Sequence, residues 1–126
     1  MKKEIFAALL LALLLSLSVV NTHVIDSLCS QLSQGVASAG QAAQRGDWEG
    51  SVQALRETMS QWEERETYAR IVLRHTDIET LTDDFYELAE HIYTRDAGAV
   101  KSAVELVTEH LRGIAQMEAI NLGSIF

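Results

Sequence analysis

The 126-residue chain contains no proline and only one cysteine, and glycine is held to seven. Without the residue that removes a backbone donor and breaks helices, and with Leu, Ala, Glu and Gln abundant, the composition points to an all-α protein. A single cysteine excludes an internal disulfide framework. Cations are also few: ten Lys and Arg stand against eighteen Asp and Glu, for a net charge of −8. The imbalance is local, because residues 46–126 hold seven of the cations and sixteen of the carboxylates. A domain this acidic repels a phosphate backbone, so no nucleic-acid partner is expected. Signatures of common chemistries are missing too. No G-x-S-x-G elbow, phosphate-cradling glycine loop, D-x-D-x-D-G calcium loop or H-E-x-x-H zinc pair occurs, nor the Glu-x-x-His spacing of di-iron bundles. Neither enzymatic activity nor a cofactor is expected.

What is present begins at the N-terminus. "MKKEIFAALLLALLLSLSVVNTHVID" carries two lysines, then an apolar run from Ile5 to Val20 broken only by Ser16 and Ser18. No charged residue falls between Glu4 and Asp26. As a helix those residues would reach about 31 Å, close to the hydrocarbon thickness of a bilayer. Residues 1–25 therefore read as a transmembrane signal-anchor. A cleaved signal peptide has the same layout, with Ser16-Leu17-Ser18 as a small-residue cleavage site. The anchor is preferred because the apolar run continues through Val19 and Val20 and no alanine stands at the usual cleavage positions. Lys2 and Lys3 orient such an anchor with its N-terminus cytoplasmic, which leaves residues 30–126 outside the cytoplasm. The expected location is the cell membrane, single-pass, with an extracytoplasmic C-terminal domain. Cys29, just beyond the boundary, is read as a small buried apolar residue, with a disulfide to a second copy or a partner as the alternative.

Residues 26–120 repeat a helical pattern. Apolar residues recur at steps of three and four in four stretches: Ile25, Leu28, Leu32, Val36, Ala39 and Ala43; Trp48 to Leu73; Ile78, Leu81, Phe85, Leu88 and Ile92; and Val100, Val104, Val107, Leu111 and Ile114. Short breaks between them predict an antiparallel bundle of three to four helices. Arg45-Gly46-Asp47 reads as stop, bend and cap, not as an adhesion loop. Asp96 is expected to cap a later helix, and Thr76 with Glu79 has the spacing of a capping box. The small residues Gly35, Ala39 and Ala43 stand four apart, a face that a neighbouring helix or a partner could approach closely. Residues 121–126 form an apolar tail whose Leu122, Ile125 and Phe126 are further candidate contacts, either on the bundle itself or on another protein.

His75, Glu79, Asp83, Glu87 and His91 stand at four-residue steps, the one pattern suggestive of metal binding. Four residues advance about 400°, so the row drifts around the helix by about 160° and climbs about 24 Å over its length, too far for one ion. A solvated acidic face is the simpler reading. A smaller site is conceivable from His75, Glu79 and Glu66, with His110 from another helix, so these remain low-ranking metal candidates.

The anchored N-terminus, "GDWEGSVQAL" at 46–55, Trp62, "LRHTDIE" at 73–79 and the final "GSIF" resemble a family of small bacterial proteins. That family is classified as domain of unknown function 4363 and is found mainly in Firmicutes and spore-forming relatives. Its tail commonly reads Asn-Ile-Phe, where this chain has Ser124-Ile125-Phe126. The resemblance implies an anchored helical domain outside the membrane, working beside a membrane protein, and carries no catalytic residues. The expected function is a non-enzymatic interaction or scaffold module partnering a membrane or envelope protein, with homo-oligomerisation a further candidate assembly. The alternative is a metal or small-ligand sensor built on the histidines and carboxylates.

Overall fold

Four α-helices account for almost all of the chain: α1 (Lys2–Gln44), α2 (Trp48–Val72), α3 (His75–Tyr93) and α4 (Ala97–Ile125). The structure is a computed structural model, and it describes the backbone of residues 1–125 and the side chains of residues 1–120. α1 packs against α2 and α4, and α3 closes the ring against the same two helices. The directions follow from paired ends. Asn21 meets Tyr68 of α2 and Glu118 of α4, whereas the Gln44 amide donates to the Ala97 carbonyl at 2.7 Å. The result is an up-down-up-down four-helix bundle.

Its core is the four apolar stripes. Ile25, Leu32, Val36 and Ala39 of α1 are fully buried, as are Leu88 of α3 and Val100, Val107 and Leu111 of α4. Phe85 packs at the centre with Trp62, their rings tilted at 36° with centroids 6.4 Å apart. Each fully buried Leu, Ile or Phe contributes about 1.5–3 kcal/mol of burial free energy. On α2, Trp48, Val52 and Met59 of the stripe are only partly covered.

Two of the three turns use one device. After α1, the Gly46 N–H donates to the Ala43 carbonyl and the Asp47 N–H to the Ala42 carbonyl. After α3, Arg95 and Asp96 repeat those bonds onto Ile92 and His91. This is the Schellman arrangement, which needs a left-handed residue. Gly46 supplies it at φ 77°, while Arg95 adopts φ 55° despite its side chain. An aspartate then caps the next helix: Asp47 accepts from the Gly50 N–H at 3.0 Å, and Asp96 from the Ala99 N–H at 3.1 Å. Gly50 leaves room for this carboxylate, since a Cβ there would stand 2.8 Å from Asp47 Cγ.

The α2–α3 turn differs and corrects the expected Thr76 cap. Leu73 and Arg74 are both extended, so α2 has already ended and α3 starts at His75, with Arg74 at the N-cap and no side-chain cap bond. Thr76 therefore lies inside the first turn, where its carbonyl accepts from the Thr80 hydroxyl. Asp77 provides the first-turn negative charge and accepts from Arg74 Nε at 3.3 Å.

Two sequence boundaries are absent from the backbone. α1 passes residues 25 and 26 without interruption, and α4 runs on through Ile125, so the segment separated as a tail begins as helix. The environments of Leu122 and Ile125, and Phe126 altogether, lie outside the described residues.

Candidate functional site

α1 changes character along its length. Every residue from 1 to 20 is exposed except Leu15 and Ser18, which are half-buried; the first fully buried residue is Ile25. Among the described residues this is the one helix long and apolar enough to cross a membrane. Leu9, Leu11, Leu13, Leu14 and Leu17 each present more than half of their surface. In water, such a stripe of leucines on an unaccompanied helix is unfavourable, whereas each is accommodated at the centre of a bilayer.

Where this segment enters the bundle, three polar groups meet. The Tyr68 hydroxyl donates to Asn21 Oδ1, and Asn21 Nδ2 donates to Glu118 Oε2 at 3.4 Å. Burial and the nearby Asp77 charge push the Glu118 carboxyl above its ordinary range. Apolar side chains surround this end: Ile71, Met117 and Ile120 are 78%, 40% and 62% exposed.

The small-residue face faces inward. α2 lies on it: the Ser51 hydroxyl donates to the Ala39 carbonyl at 2.8 Å, and Thr58 sits against Gly35. Ala39 and Ala43 are buried, which corrects their candidacy as contacts for another protein. A helix does approach closely there, and it is the chain's own. Cys29 is likewise buried and free. Burial, helped by the Asp26 and Glu118 charges, pushes its thiol up to about 11.

The metal candidates are dispersed. His75 Nε2 pairs with Glu79 at 2.9 Å, both well exposed, whereas Glu66 pairs with Arg70 at 2.8 Å. Glu87 and His91 form another surface pair at 3.6 Å. Among the described residues no group of three or more His, Cys, Asp or Glu is placed to hold a metal ion.

His110 has a different partner from the one the sequence suggested. It bonds through Nδ1 to Asp84, a buried carboxylate on α3. Asp84 was missed because it is adjacent to Phe85 in the stripe and its partner is 26 residues away in sequence. Its position is a weak signal: like Asp77 seven residues earlier, it stands at the edge of the apolar face of α3, and a buried carboxylate requires a donor. His110 borders a shallow depression of about 230 Å³ that includes Arg74, Asp77 and Thr80.

A larger open groove, about 400 Å³, lies at the far end of the bundle between α2 and α3. Trp48, Val52, Ile92 and Tyr93 form its apolar wall, and Arg56 and Arg95 flank it. Aromatic and arginine side chains are the types that anchor protein contacts, and here they share the groove with Glu49 and Gln53.

Fold and surface thus define a class: an antiparallel four-helix bundle carrying an exposed, membrane-length apolar extension of its first helix. The model of the domain of unknown function DUF4363 matches residues 19–125, and the chain belongs to that family. No curated protein and no solved structure matches it.

Proposed function

We propose that this protein is a single-pass membrane-anchored interaction module, with its bundle held on the extracytoplasmic side and no chemistry of its own. One observation carries the reading: the apolar half of α1 projects, exposed and unbroken, from a bundle whose own core is complete. Lys2 and Lys3 at its tip favour retention of that end in the cytoplasm. The acidic bundle has no attraction for anionic headgroups, so attachment rests on the apolar segment. The groove between Trp48 and Tyr93 is the surface we assign to a protein partner, because it combines aromatic anchors with Arg56 and Arg95 at the bundle end remote from the anchor. A membrane or envelope protein with an acidic segment fits that chemistry.

Three measurements test this. The full chain in bacterial membranes should resist carbonate extraction, and an impermeant maleimide should label Ser102→Cys but not Lys3→Cys in intact cells. Release by carbonate, or the reverse labelling, contradicts the anchor. A photocrosslinking residue in place of Tyr93 should then trap one discrete membrane or envelope protein, and Arg56→Glu should abolish that adduct. An adduct indifferent to Arg56→Glu, or none, contradicts the groove assignment.

A further inference from the structure

The levels of the helix ends along α1 do not match a simple tether. Gln44 lies beside Ala97 and Asn21 beside Glu118, which sets the antiparallel register of α1 and α4. Carried forward, that register places residues 119–125 of α4 beside residues 15–21 of α1, inside the apolar segment. Burial supports the placement. Leu15 and Ser18 are half-buried while all their neighbours in residues 1–20 are exposed, and they continue the stripe that leads through Asn21 and Thr22 to Ile25. α1 is therefore both apolar and free on all sides only over residues 5–14, about 15 Å of helix, against about 30 Å of hydrocarbon. The shortfall is about 15 Å, and the last two turns of α4, about 10 Å long, lie beside most of it.

Those turns suit the missing layer. After Glu118 the sequence "AINLGSIF" carries no charged residue. Met117, Ile120 and Ile71 present apolar surface at the same end. Tyr68, Asn21 and Glu118 form a polar girdle immediately above, where an aromatic hydroxyl and amide suit a membrane–water interface. On the other side of the bundle, Arg70, Arg74 and His75 close the α2–α3 turn with exposed charge or polarity, which limits how far that side can sink.

We propose that the C-terminal two turns of α4 are embedded in the lipid leaflet facing the bundle, beside α1. The bundle is then planted in the bilayer on two helices of unequal depth, with the lipid acyl region as the occupant of the apolar end. This rests on α1 being a membrane helix.

The test is a scan of single cysteines at positions 119 to 125, in the full chain with Cys29→Ala, carrying nitroxide labels in phosphatidylcholine vesicles. Collision with oxygen reports lipid, and collision with a water-soluble nickel chelate reports solvent. Among the seven positions, those most open to collision should favour oxygen, and nickel access should fall severalfold below that of Ser102→Cys. A label at Leu9→Cys reads the anchor independently. If Leu9 reports lipid while the open positions of 119–125 collide with nickel as freely as Ser102, α1 spans and the α4 proposal is overturned. If none of the seven meets either reagent, protein covers the segment and the proposal is again overturned. Nickel access at Leu9 would instead remove the anchor itself.

Discussion

The two halves of α1 have the same backbone and opposite surroundings. Residues 2–20 are almost entirely exposed and almost entirely apolar, whereas residues 25–44 bury Ile25, Leu32, Val36 and Ala39 between α2 and α4. Even the helix ends differ. The first turn has no side-chain cap, while the C-terminus is closed by the Schellman bonds and handed to the Asp47 cap. Composition already separates these halves, since the apolar run ends near Val20 and residues 25–44 intersperse Asp26, Ser30, Ser33 and Gln44 among their apolar positions. The distinction lies also in width: leucine occurs all around the N-terminal half, as a lipid-facing helix permits, and on one stripe of the other, with Gln31, Gln34, Ser38 and Gln41 on the wet side.

Substitutions in the two halves should therefore separate stability from attachment. Leu32→Ala empties a fully buried position and should cost about 2–5 kcal/mol of bundle stability while membrane retention persists, measured by thermal unfolding and carbonate extraction. Gly35→Ala comes next. Its Cβ would overlap the Thr58 hydroxyl and stand 3.0 Å from Thr58 Cβ, so strain of about 1–3 kcal/mol is expected, partly relieved by Thr58→Ala. Asp47→Ala should lower stability by about 1 kcal/mol through loss of the bond to Gly50, read as a small decrease in Tm.

The smallest effect marks where the packed half begins. Burial holds the Cys29 thiol near 11, while in the unfolded chain it ionises near 9.0. Because its pKa is raised in the folded state, the Cys29 contribution is fully present below about pH 9 and is lost as pH rises toward 11. Alkylation of the folded chain at pH 8 should accordingly be slow and become rapid in denaturant. Rapid alkylation without denaturant would move the packed boundary further along α1.

Much of this architecture is legible from spacing. The α1, α3 and α4 stripes locate the core because apolar residues three and four apart share a face, and Gly46-Asp47 marks a turn through local chemistry. Features that depend on partners distant in sequence are not legible in that way. Asp84 is satisfied by His110 across two helices, and Ser51 by a carbonyl of α1. Thr76 misleads because the capping-box spacing is local, while the helix start is decided by two extended residues before it. The small-residue face was visible, but which helix fills it was not, since an internal neighbour and an external one need the same residues.

The central claim is that residues 2–13 of α1, the fully exposed start of the helix, take no part in the fold of the bundle. Thermal unfolding of a chain lacking residues 2–13, all of them exposed, tests it most directly against the full chain in the same mild detergent. Superimposable melting curves are predicted, because no buried contact is removed. A fall in Tm as large as that of Leu32→Ala would contradict the division of α1, showing that the exposed half supports the bundle after all.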